Sequence, residues 1–184
     1  TYSIGTILFC FLASKEVIKN FWWQLLPVFL LTNTLMFVFI SSGVNYDNLV
    51  NLLSAISIYF LLRVLNNKDF LNNSFALFIF LCLGTLTKVA VLPLALIISV
   101  IWLLFLLRSK KKIEKSKIKK SKIIILASIL FLLISINLHI YATNLYQYRS
   151  IVPECQDLLT EDQCAISPFV ERENRLGLPQ KLTL

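Results

Sequence analysis

Residues 70–107 form a 38-residue stretch with a single charge, Lys88. As one helix, this stretch would be about 57 Å long at 1.5 Å per residue. The hydrocarbon layer of a bilayer is only about 30 Å thick. The stretch therefore has to reverse. The breakers Gly84 and Pro93, with Lys88 between them, predict a tight hairpin at Gly84–Lys88. The rest of the chain agrees with a membrane setting: 57% of the 184 residues are hydrophobic and the mean hydropathy is +0.75. Soluble domains are about 45–50% apolar, so a soluble domain, a disordered chain and a small disulfide scaffold are excluded.

Six apolar segments follow from the same pattern, at residues 2–13, 21–40, 48–65, 70–87, 89–107 and 123–141. Inside lipid every backbone N–H and C=O must be paired within its own segment, so these segments are helices rather than open strands. The expected fold is all-α, a polytopic transmembrane helical bundle of about six spans over residues 1–142. A short external tail follows, at residues 143–184. The chain opens at Thr1 without an initiator Met. It is expected to be an internal piece of a longer protein, and residues 1–13 lack the basic start of a signal peptide.

Charge placement gives an expected orientation. Nine of the eighteen basic residues lie in residues 108–122. Taken with Lys15, Lys19, Arg63 and Lys68, the alternate loops carry thirteen basic and three acidic residues. The opposite face, with Asp47, Lys88 and the tail, has a net charge of −2 out of the total +8. The positive-inside rule makes the basic face cytoplasmic. The Lys-rich run lacks any nucleic-acid recognition fold and reads as a segment lying on anionic headgroups. Trp22 and Trp23 at one end of a span, and Tyr141, Tyr146 and Tyr148 at the other end of another, suit the two interfaces. The sequon at Asn72 is expected on the inner face, where it carries no glycan.

Four cysteines divide by position. Cys10 and Cys82 lie within spans and read as small apolar fillers. Cys155 and Cys164 lie in the tail, where an oxidising compartment permits a disulfide. The alternative is two free thiols. A zinc site is not expected, because the tail has no His and no second Cys pair.

Two residues stand out as chemical candidates. Asp47 lies at the mouth of the third span, fifteen uncharged residues before Arg63. A carboxylate there can hold a divalent metal, a sugar hydroxyl or a basic partner, or simply cap the helix. Arg63, with its longer arm, is expected to snorkel to the inner surface. Lys88 can hold the phosphate of a lipid carrier, or act as an interfacial anchor. Both fall on the same face, so an ion pair between them is open. His139 is alone near the end of the last span and reads as a structural residue. There is no metal-ligand spacing, no phosphate-binding Gly loop and no nucleophile elbow.

Asn45-Tyr46-Asp47-Asn48-Leu49, then Leu52-Leu53-Ser54-Ala55 and Leu61-Leu62-Arg63, then Leu83-Gly84-Thr85-Leu86-Thr87-Lys88, resemble bacterial polytopic proteins of the GT-C glycosyltransferase superfamily. That group includes protein O-mannosyltransferases and the lipid A aminoarabinose transferase. The tail pattern Tyr148-Arg149, Val152-Pro153-x-Cys155 and Cys164 is similar to the external segment of uncharacterised bacterial members. The resemblance implies a transferase of the inner membrane, using a polyprenyl-phosphate-linked sugar at the outer face. Asp47 would then be the mouth acid, with Lys88 and Asn45 on the donor side. It also implies a main catalytic carboxylate in a first external loop upstream of Thr1. The alternative is a non-enzymatic bundle, a transporter fragment or an assembly subunit. The enzyme requires a cavity facing Asp47 and Lys88. The bundle requires the two to face headgroups or each other.

Overall fold

A computed structural model describes residues 2–42, 46–108, 120–151 and 153, and all regular structure among them is helical. The elements are α1 (Tyr2–Val17), α2 (Phe21–Thr32), α3 (Leu35–Ser42), α4 (Tyr46–Leu65), α5 (Phe70–Thr87), one 3-10 turn (Val89–Val91), α6 (Leu92–Arg108) and α7 (Lys120–Tyr148). Four stretches are long and apolar enough to cross a membrane: Asp47–Leu65, Phe70–Thr87, Val89–Arg108 and Ser121–Tyr148. By chain contacts the molecule divides into two units, residues 1–137 and 138–184.

The first unit is organised around α4. Helix α1 lies beside α4 and parallel to it. Ser3 bonds to Asn48 at 3.3 Å, Phe9 meets Tyr59 edge-on at 5.7 Å, and Asn66 Nδ2 donates to the Glu16 carbonyl at 2.9 Å. Helix α5 returns antiparallel to α4 after a turn that places Asn67 and Asp69 at φ 56° and 38°. Asn and Asp are the non-glycine residues that tolerate this left-handed region best.

The reversal expected at residues 84–88 is present. Lys88 ends α5 in an extended conformation, φ −155° and ψ 129°, and the 3-10 turn then feeds α6. Helix α6 runs back along α5. Phe105 stacks over Phe70 at 6.4 Å, Trp102 meets Phe78 edge-on at 5.1 Å, and the Trp102 indole N–H donates to Ser74 Oγ at 3.0 Å. Leu61, Leu77, Leu81 and Ile98 form the buried centre of this three-helix contact. The large apolar side chains of α6 and α7 mostly face outward, as on Leu96, Leu104, Phe131 and Leu138. In water such a surface drives aggregation; in a bilayer it is the lipid-facing side.

Three expectations are corrected. The single span at residues 21–40 is two helices, broken at Asn33-Thr34. Pro27 removes one backbone donor, and the polar side chains at the break turn back on the carbonyls beneath them. Asn33 Nδ2 donates to Phe29 O at 2.8 Å and Thr34 Oγ1 to Leu30 O at 2.8 Å. Such local bonds compete with the helical ladder. Helix α7 continues to Tyr148, seven residues beyond the expected end, until Arg149 at φ 54° stops it. Arg63 does not snorkel. Its guanidinium turns back one helical turn onto Tyr59, 5.7 Å from the ring centroid, with Nη1 donating to the phenol oxygen at 3.2 Å.

Gly84 marks the closest approach at the corner. A Cβ built there would lie 3.1 Å from Val91 Cγ1, with Leu53 of α4 next nearest. Overpacking of this kind costs about 1–3 kcal/mol, and β-branched Val91 has little freedom to yield. Gly84→Ala is therefore expected to lower the thermal unfolding midpoint measurably in detergent, and Gly84→Leu, which adds three further carbons to the same contact, to lower it more. Equal midpoints for Gly84→Leu and the parent would show that the α5–α6 corner is not packed this way.

Candidate functional site at the Asp47 end of the bundle

The first turn of α4 and the last residue after α5 bring Asp47 and Lys88 together, although 41 residues separate them in the chain. Lys88 Nζ lies 2.7 Å from Asp47 Oδ1, with the lysine side chain 39% and the aspartate 25% exposed. The extended backbone at Lys88 turns its side chain away from the α5 axis, and its N–H still closes the helix on Gly84 O. Asp47 is the second residue of α4 rather than the residue before it. Asp47 is thus a first-turn carboxylate that complements the helix dipole and binds an ammonium. Among the described residues no group of three or more His, Cys, Asp or Glu side chains is placed to hold a metal.

The opposite end of α4 holds a second polar cluster. Glu16 Oε2 accepts from Lys68 Nζ at 2.7 Å and from Asn66 Nδ2 at 3.1 Å. Arg63 lies on the same end and leaves its Nε buried without a partner among the described residues. Burial tends to raise the Glu16 carboxyl. The bonds from Lys68 and Asn66 and the charges of Lys68 and Arg63 outweigh it, so the group sits below its ordinary value.

Between the two ends, α1, α3 and α4 enclose an open groove of about 420 Å³. Its lining includes Thr6 and Cys10 from α1, Phe37 from α3, and Asn51, Ser54 and Ile58 from α4. Asp47 and Lys88 do not line it. They face each other, as the non-enzymatic reading requires of them. Asp47, Asn51, Ser54 and Ile58 nevertheless fall at i, i+4, i+7 and i+11, one face of one helix. The groove therefore begins one turn below the ion pair.

The remaining candidates are placed as follows. Cys10 and Cys82 are half-buried and free. His139 is exposed on α7. Asn45, Cys155 and Cys164 lie outside the described residues, as does most of the Lys-rich run. Asn137 was not anticipated. It is buried, its Oδ1 lies 2.9 Å from the Thr85 hydroxyl, and its Nδ2 donates to Cys82 O at 3.3 Å, which ties α7 to the Lys88 end of α5. Its signal in the sequence is the one Asn among residues 123–141, whose other polar residues are Ser128, Ser135, His139 and Tyr141.

The depressed Glu16 carboxyl fixes the sign of a pH effect. A carboxylate whose folded value lies below its unfolded one stabilises the fold above the unfolded value, about 4.3. That contribution is lost as pH falls through the folded value. Thermal midpoints of the parent are expected to fall more steeply below about pH 4.3 than those of Glu16→Gln. Parallel curves for the two proteins would remove Glu16 from the acid response.

Compared with protein-family models, characterised proteins and solved structures, the chain matches none.

Proposed function

We propose that the chain is the membrane-embedded part of a glycosyltransferase of the GT-C type, taking a polyprenyl-phosphate-linked sugar at the face where Asp47 and Lys88 lie. In this reading it crosses the bacterial inner membrane about six times, with α1 and the α2–α3 pair completing the crossings. The basic loops are cytoplasmic, and residues 143–184 lie on the far side, joined by a Cys155–Cys164 disulfide. Donor-face residues are Lys88 and Asn45.

The observation that carries the reading is the meeting of Asp47 and Lys88 at 2.7 Å, partly open to solvent, at one end of the bundle. Breaking a sugar–phosphate bond leaves negative charge on the phosphate, and an ammonium beside it stabilises that charge. A carboxylate next to it can take the proton of an acceptor hydroxyl or hold a divalent metal. With no donor bound, the two groups neutralise each other. A donor phosphate would take the place of the Asp47 carboxylate on Lys88.

The closed ion pair also favours a second reading, a non-enzymatic bundle in which the pair only staples α4 to α5. The two readings separate on Lys88→Ala in the full-length protein. A hydrogen bond to a charged group contributes about 1.5–3 kcal/mol, so the enzyme reading expects donor affinity to fall about tenfold or more. A lower thermal midpoint with unchanged donor affinity and transfer would leave only the staple.

A further inference from the structure

Two polar side chains in the groove have no hydrogen-bond partner among the described residues. Most hydroxyls within these helices return to a carbonyl one turn back: Ser14 to Cys10 O at 2.9 Å, Ser57 to Leu53 O at 2.8 Å and Ser99 to Ala95 O at 2.7 Å. Thr6 and Thr34, which also line the groove, do the same. Asn51 and Ser54 do not. Their side chains make no hydrogen bond among the described residues, and both line the groove. They lie in α4, within one of the four stretches able to cross a membrane. An amide and a hydroxyl left unpaired against apolar surroundings each carry a desolvation cost.

We propose that the groove lodges one acyl chain of a glycerophospholipid, with the ester carbonyls accepting hydrogen bonds from the Asn51 amide and the Ser54 hydroxyl. Three observations select this occupant. No lining residue is charged, so the groove does not take an ionic group. Both unpaired groups can donate as well as accept, and ester carbonyls are acceptors matched to the donors. Asn51 and Ser54 lie about 6 and 10 Å along the helix from Asp47. If the partly exposed ion pair marks the headgroup level, they sit at the ester layer just beneath it. Ala13, Phe37 and Ile58 provide the apolar walls below. The volume of about 420 Å³ falls within the roughly 300–1,000 Å³ of ligand-holding clefts. The assignment rests on the chain lying in a bilayer and not on sugar transfer, so it stands or falls apart from the role of Lys88.

The test is lipid retention by the whole chain. The protein is reconstituted in vesicles of dioleoyl phosphatidylglycerol or of its dialkyl ether counterpart, which lacks ester carbonyls. It is then extracted into detergent, and bound lipid is counted by native mass spectrometry. One lost hydrogen bond weakens binding about fivefold. The ester lipid is therefore expected to be retained at one per chain, and the ether lipid at least about fivefold more weakly. Asn51→Leu with Ser54→Ala should reduce the ester lipid to the ether level and leave the ether lipid unchanged. Ser99→Ala, outside the groove, should alter neither. Equal retention of ester and ether lipids by the unmodified protein would overturn the proposal, and that comparison requires no variant to fold. Polyprenyl phosphate displacing the ester lipid at stoichiometric amounts would also overturn it, by assigning the groove to a lipid carrier.

Discussion

Helices in lipid are not pushed together by the hydrophobic effect, because lipid tails are as apolar as the side chains they would replace. What sets the arrangement is packing, together with a few polar contacts at defined heights. Here the charged contacts lie at the two ends of α4. At one end Lys88 meets Asp47 and joins α5 to α4. At the other, Lys68 and Asn66 meet Glu16 and join the α4–α5 turn to the end of α1. Each pair measures 2.7 Å, and they bracket a helix of 20 residues, about 30 Å. The Asp47–Lys88 pair ties the end of α5 to the start of α4, and the Glu16–Lys68 pair ties α1 to the turn between them.

The magnitudes assign different tasks to charge and packing. Partly exposed ion pairs contribute about 0–1 kcal/mol. Truncating one buried leucine costs about 2–5 kcal/mol, and four side chains of the central cluster, Leu61, Leu77, Leu81 and Ile98, are buried. Packing therefore holds α4, α5 and α6 together, with the Phe70, Phe78, Trp102 and Phe105 rings closing one side. The ion pairs fix register. The same division explains why the charges sit at the ends: there an ammonium or carboxylate keeps part of its hydration, and the desolvation penalty of a fully buried pair is avoided.

What could be read from the sequence follows from which forces are local. The length of the uncharged stretch forces a reversal near Gly84–Lys88, and α5 occupies residues 70–87 as its apolar run requires. The break in the second apolar segment was hidden, because Thr32, Asn33 and Thr34 are too few to interrupt a hydropathy window, while their side chains suffice to unseat the backbone ladder. The turn of Arg63 onto Tyr59 depends on a ring four residues earlier, which competes with solvent for the guanidinium. The Asp47–Lys88 contact needs α4 and α5 in register, which no local pattern encodes. Asn51 and Ser54 were visible only as scattered polar residues. Their spacing from Asp47 acquires meaning once α1 and α3 wall the same face.

Asn137 links these levels. Its amide is saturated: Oδ1 faces the Thr85 hydroxyl, and Nδ2 donates to Cys82 O and to Leu133 O in its own helix. Thr85 is one turn before Lys88, so the clamp fixes the last turn of α5 from one side while Asp47 fixes Lys88 from another. Lys88 itself is in neither helix, and its backbone is tied on both sides: its N–H donates to Gly84 O, and its carbonyl accepts from the Val91 N–H. The ammonium is thus carried on a short link bonded to helical turns on both sides. Beyond these anchors only the Lys88 side chain, 39% exposed, reaches across to Asp47.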